Sequence, residues 1–435
     1  MKDHQKLILT GGRIIDPARG VDETGDVYME DGVLMSAGAF PFEEAEVIDL
    51  SGYVVAPGFI DMHVHLRQPG KTEAETVRTG TMAAAAGGFT SIVPMPNTTP
   101  CADNPGAIQY LKAVGGRESV VNILPCGSMT KGLEGLEMSG IGGLKSAGVV
   151  ALSDDGKCVQ NHELMRHIVE YSRSFGLPIL DHCEDNVLVN GGVMHEGYWS
   201  VLLGMKGMSS AAEELIVARD VILARMADWK IHIQHVSAKE SVERIRIARK
   251  NGIRISGEVT PHHISLTDAE IKRFDSNYKM NPPLRSEEDR LALIEGLKDG
   301  TITVIATDHA PHTATAKMVE FDYAPFGIVG LETAVPVCLT ELYHKNQLSL
   351  SSLIAKFTQG PAEVLGIPGL GTLEPGTPAD ITVLDLNTEH VIDSSGFFSK
   401  SRNTPFNGYR AKGRAAATFV RGKCVYSLLP DFKNE

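Results

Sequence analysis

Two histidines, His63 and His65, stand two residues apart at the end of an apolar run, and Arg67 follows just before a Pro69-Gly70 break. Successive side chains of a strand point to opposite faces, so residues i and i+2 share one face and both imidazoles are expected on the same side. Other apolar runs also end in polar residues: Asp154-Asp155 after "VVALS", His182 after "PILD", His235 after "KIHIQ" and Asp308 after "TVIAT". A single histidine at a strand end is ordinarily a hydrogen-bonded core residue. Four histidines and two aspartates closing five runs are instead a donor set for a borderline metal such as zinc. One catalytic zinc usually takes three protein ligands. The six residues therefore suit two ions that share a carboxylate and a water, with the water becoming hydroxide near neutral pH. The chemistry implied is metal-assisted hydrolysis or its reversal, with no Ser or Cys nucleophile.

The elements that must position these residues recur along the chain. Eight apolar runs begin at about residues 58, 91, 121, 149, 178, 230, 254 and 303, each broken by Gly, Pro, Asn or Asp and most followed by a helical pattern. "AKESVERIRIARKNG", for example, spaces Val242, Ile245 and Arg249 along a helix and stops at Gly252. Strands alternating with helices indicate parallel βαβ units, and eight of them predict a closed (β/α)8 TIM-type barrel ahead of a doubly wound open sheet. Barrels of this class carry their active sites at the C-terminal ends of the strands, where the six side chains would meet. Residues 1–55 and 367–435 read differently, as short alternating segments with a hairpin signal at Asp31-Gly32. They are expected to pair into one small β-sandwich domain flanking a barrel over residues 56–366.

Arg67 and Asn97 end strands at the same mouth, while His312 fits either an exposed loop or an anion contact. His162, His167, His195, His344 and His390 fall in helical or peripheral stretches, and His232, by parity with His235, is expected to face away from the lumen. No Walker-type or dinucleotide fingerprint occurs. A net charge of -13 disfavours nucleic acid or an anionic membrane as partner. The six scattered cysteines, the lack of an apolar leader and the absence of an 18-residue apolar run point to a cytoplasmic protein with reduced thiols.

The segments "GFIDMHVHLRQPG", "MPNTTP", "LSDDG", "ILDHCED", "HIQHVSAKES", "NPPLR", "ATDHAPH" and "APFGIVGLET" together resemble the class I bacterial dihydroorotases of the amidohydrolase superfamily, along nearly the whole chain. The resemblance implies two Zn2+ per subunit, held by His63, His65, Asp155, His182, His235 and Asp308. Asp155 would bridge the ions and Asp308 would double as general acid/base. It implies substrate-carboxylate contacts at Arg67, Asn97 and His312, and ring contacts at Asn281 and the backbone of Pro325, Phe326 and Gly327. A mobile loop would run from about Thr313 to Ala324. Gln68 stands where Glu is common, and Gln234 where a small residue or Cys is common. Many relatives bridge their metals with a carboxylated lysine. Here Lys145 precedes strand 4 and Lys157 follows it, but no lysine ends it. The implied reaction interconverts N-carbamoyl-L-aspartate and L-dihydroorotate in pyrimidine synthesis. The implied assembly is a homodimer that could associate with an aspartate transcarbamoylase. Rival readings are an allantoinase or dihydropyrimidinase, or a non-catalytic partner subunit.

Overall fold

The computed structural model describes residues 6–430; the outermost residues of the expected terminal domain, 1–5 and 431–435, lie outside them. Eight strands follow the eight apolar runs, and each pairs in parallel with its neighbour. Strand 1 is Phe59–Val64, strand 2 Phe89–Pro94, strand 4 Ala151–Leu152 and strand 5 Ile179–Asp181. Strand 6 is Ile231–Ile233, strand 7 Ile255–Val259 and strand 8 Val304–Ile305. Strand 3 is cut in two, Asn122–Ile123 and Cys126–Gly127, around Pro125, which has no N–H for the ladder. Its first half pairs with strand 2 and its second with strand 4. The ring closes where Val64 bridges His309 in parallel and His65 N–H donates to His309 O at 2.9 Å. An open sheet is thereby excluded.

Helices cover the outside of the ring, and their ends follow from sequence. Thr76 caps Val77–Ala86 and Ser286 caps Glu287–Lys298, both in capping boxes, and Asn161 caps His162–Ser174. Lys239–Lys250 buries Val242 and Ile245 with Ala248, and Gly252 just beyond it takes a left-handed conformation. Ile60, Met62, Val93, Met95, Cys126, Ala151, Leu180, Val304 and Ala306 pack into one cluster with Val364 and Leu365. The helix Gln359–Leu365 thus plugs the N-terminal end of the barrel and leaves the polar cup to the other end.

The two chain ends meet in one sheet of eight strands. Val54–Pro57, from the N-terminal segment, pairs antiparallel with Ile381–Val391, from the C-terminal one. The sheet curls so that its far hairpin returns: Leu34 N–H donates to Thr377 O and Ala379 N–H to Gly32 O, both at 2.9 Å. Leu9, Ile14, Met29, Val55, Val383 and Phe419 share the enclosed core. Among the described residues no helix is long and apolar enough to cross a membrane. All six cysteines are unpaired.

Candidate active site

Strand 1 does not keep a simple alternation. Its register against strand 2 slips between Asp61 and Val64, placing an extra residue in this strand. Met62 joins the apolar lumen cluster and Val64 the outer one. The bulge lets His63 follow Met62 to the inside, where a regular pleat would send it to the other face. Backbone irregularity recurs around the cup: Arg67 (φ 55°), His235 (φ 30°) and Asp308 (φ 47°) are left-handed, a conformation that is costly for residues with a side chain.

The Asp155 carboxylate is the centre of the arrangement. Its oxygens lie 3.2 Å from His63 Nε2, 3.5 Å from His65 Nε2, and 3.7 Å from both His182 Nδ1 and His235 Nε2. Asp308 Oδ1 sits 3.0 Å from His65 Nε2 and 3.5 Å from His63 Nε2. Ligand atoms of His63, His65 and Asp308 fall within 4.8 Å of one another, as do those of His63, Asp155 and His235. All six residues are buried. Burial pushes the Asp155 carboxyl upward, but the charge of His63 and the nearby rings of His182 and His235 outweigh it and hold the group well below the usual carboxylate range. His63 Nε2 and His182 Nε2 are buried without a hydrogen bond. Orphaned imidazole nitrogens facing carboxylates fit a metal site.

A cavity of about 240 Å3 opens above, lined among others by Arg67, Asn97, Asn281, His312, Phe326 and Gly327. Arg67 Nε donates to Pro311 O at 3.1 Å, while its terminal nitrogens donate to none of the described residues. Asn97 accepts from His65 Nδ1 at 2.9 Å and donates to Asp155 at 3.1 Å. Asn281 Nδ2 donates to Glu184 at 2.8 Å, and its buried Oδ1 has no partner. His312 lines the cup and does not lie on an exposed loop; burial and the charges of Arg67 and Lys317 push its pKa down to about 3. Its Nε2 lies 2.8 Å from Phe326 O, so that nitrogen carries the proton. Pro325 does not line the cavity; its carbonyl accepts from Lys317 Nζ at 2.8 Å. Lys145 and Lys157 are exposed, and neither joins the cup, nor do His162, His167, His195, His344 and His390.

One sequence expectation fails here. His232 faces the lumen, its Nδ1 2.8 Å from Ser256 Oγ and its Nε2 3.1 Å from Glu258 Oε2. The parity rule broke because strand 6 ends at Ile233 and the left-handed His235 turns its side chain back to the same side. Glu258, not recognised as a site residue from sequence, holds His63 Nδ1 at 2.9 Å and so aims Nε2 at the cup. Its signal was a charge in mid-strand of "RISGEVT". Burial works against ionisation, yet hydrogen bonds from His232 and His63 carry its pKa down to about 2. Gln234 is also lumenal, 3.2 Å from His63 Nδ1 and accepting from Ser153 Oγ at 3.1 Å. Asp154 turns away, accepting from the backbone of Met129 at 2.7 Å and Thr130 at 3.0 Å.

Residues 52–241 match the Dihydro-orotase-like family and residues 273–426 the Amidohydrolase family. The chain is 51% identical over 421 residues to a dihydroorotase of Pelotomaculum thermopropionicum, covering 97% of this chain and 98% of that one. The chain belongs to the dihydroorotase family. A second family member, from Acetivibrio thermocellus, is 47% identical over 420 residues, 96% of this chain and 98% of its own. Among solved structures, the L-hydantoinase (dihydropyrimidinase) of Arthrobacter aurescens superposes with a TM-score of 0.87 at 26% identity, over 97% of this chain and 96% of that one. The dihydropyrimidinase of Brevibacillus agri gives 0.85 at 23% identity, over 97% and 95%, a likeness of fold alone. This chain thus shares its fold with a hydantoinase and a dihydropyrimidinase.

Proposed function

We propose that this chain interconverts L-dihydroorotate and N-carbamoyl-L-aspartate. The observation that carries the reading is Asp155 amid four histidines, beneath a cavity walled by Arg67. His63, His65, Asp155, His182, His235 and Asp308 would hold two Zn2+. Bound there, the ions would supply Lewis acidity and a water activated near neutral pH. The exposure of Lys145 and Lys157 supports an aspartate as the shared ligand.

The chain's own residues divide the rest of the work. Arg67 would grip the substrate carboxylate with its terminal nitrogens, a planar two-point contact that lysine cannot reproduce. Asn97 is engaged with His65 and Asp155, and His312 would have to release Phe326 O before its Nε2–H could reach a carboxylate. Asn281 Oδ1 would accept a ring N–H, while Phe326 and Gly327 bound the ring. In ring opening the N3–C4 amide bond breaks. Asp308 would take a proton from the attacking water and deliver it to N3, which leaves as the ureido NH2. The new carboxyl then ionises, so opening releases a proton and high pH favours the open acid.

The same reading divides the chain into a catalytic barrel over 56–366 and a terminal β-domain, places it in the cytoplasm, and expects a homodimer with room for an aspartate transcarbamoylase partner. The test is turnover of L-dihydroorotate by purified protein alongside dihydrouracil, hydantoin and allantoin, with metal analysis of the same sample. Roughly two zinc per chain and preference for the carboxylated ring are expected. Preference for an uncharged ring, or full activity with one ion, would overturn the reading.

A further inference from the structure

We propose that Lys317 is a positioning residue, tying the segment that follows His312 to both stretches of backbone that line the substrate-facing edge of the cup; this rests on the dihydroorotase reading above. Lys317 ends the short helix Ala314–Lys317 and is buried. Its Nζ donates to Ser276 O and Pro325 O at 2.8 Å and to Lys279 O at 3.3 Å. Three carbonyls from two segments match the three N–H groups of an ammonium. No carboxylate pairs with it among the described residues; the charged neighbours that act on it are Lys279 and Asp275. Burial and the charge of Lys279 push the pKa of Lys317 down to about 7, and three carbonyl acceptors are the partners that favour the ammonium form.

The tie is reciprocal. Lys279 Nζ donates to Phe321 O at 2.8 Å and Asp322 O at 2.9 Å, and lies 4.6 Å from the centre of the Phe326 ring. Ser276 Oγ donates to Lys317 O, and Gly327 N–H to Lys279 O at 3.0 Å. Met280 and Asn281 follow Lys279, Phe326 and Gly327 follow Pro325, and all four line the cup. Phe326 O in turn holds the His312 ring. Apolar packing offers this segment little other restraint, since Met318 and Tyr323 are 82% and 81% exposed and Phe321 is its main buried anchor. Lys317 therefore acts through Asn281, Phe326 and His312, without touching the substrate.

Lys317→Met keeps the aliphatic stem and removes the three N–H groups. With a tie worth one or two charged hydrogen bonds, KM for L-dihydroorotate should rise about tenfold or more, with kcat and bound zinc little changed. Amide hydrogen exchange over residues 313–327 should speed up while the barrel strands stay protected. Lys279→Met should reproduce both effects, and the double variant should be far from additive, because the two lysines hold one contact. A wild-type KM in either variant, parallel losses of kcat and zinc, or faster exchange throughout the barrel would overturn the proposal. If Lys317→Met does not fold, Lys279→Met decides alone. Exchange is read without substrate, so failure to turn over dihydroorotate sinks the functional reading while unchanged exchange over 313–327 sinks the tie.

Discussion

Two side chains in the cup invite separate questions, because the proposed reaction would give them different physical tasks. Arg67 is fixed through Nε and open at its terminal nitrogens. Arg67→Met would remove the proposed charge-assisted contact, worth roughly 1.5–3 kcal/mol, so kcat/KM should fall at least about tenfold with zinc retained. Wild-type kinetics in this variant would refute carboxylate recognition by Arg67. Asp308 lies 3.0 Å from His65 Nε2 and would serve as ligand and proton carrier together. Asp308→Asn can still offer an oxygen to a metal but has no basic site at working pH. A general acid/base contributes about 10²–10⁴-fold, so the zinc-replete variant should be nearly inactive. Restoration of a substantial share of kcat by added zinc would leave Asp308 as a ligand only. The sign of the pH response follows: opening needs the Asp308 carboxylate free and should fade as pH drops, whereas ring closure should decline as pH rises.

At the scale of the element, irregularities aim the side chains. The bulge in strand 1 brings His63 to the lumen, and left-handed residues at the ends of strands 6 and 8 turn His235 and Asp308 inward. The plug at the opposite end is equally exacting. A Cβ on Gly360, inside the helix Gln359–Leu365, would stand 2.0 Å from Thr303 O. Gly360→Ala should therefore push this helix off strand 8 and cost about 1–3 kcal/mol, seen as a lower Tm. An unchanged Tm would mean that the helix slides without loss and does not fix the barrel end.

The whole molecule depends on the terminal sheet gripping the barrel. Thr382 does this from the strand Ile381–Val391, accepting from Phe59 N–H at 3.0 Å and donating to Gly88 O at 2.6 Å, fully buried. Thr382→Val keeps the shape but strands a buried donor and a buried acceptor, a loss of about 1–3 kcal/mol. The expected outcome is a lower onset of thermal unfolding with kcat/KM intact at 25 °C. A fall in kcat/KM without any loss of stability would contradict this structural role.

Much of this was legible in the residues alone. Strand and helix periods are local, so the eight βα units, the β-rich ends and the polar residues closing each run could be read directly from the chain. Donor chemistry is local too, which is why four histidines and two aspartates implied a metal before any contact was known. Parity predicts a side chain's direction only within an unbroken strand. It therefore misjudged His232, three residues before the left-handed His235, and could not foresee the bulge behind His63. Nor does spacing reveal which distant groups meet. Closure of the ring puts Asp155 among four histidines and Glu258 behind His63, and the fold of the loops sets Lys317 against carbonyls at 276, 279 and 325. The sequence by itself determined the units and the donor types, because these depend on neighbours in the chain. The partners of each donor were decided by tertiary structure, because they depend on how a closed, irregular barrel brings remote segments together.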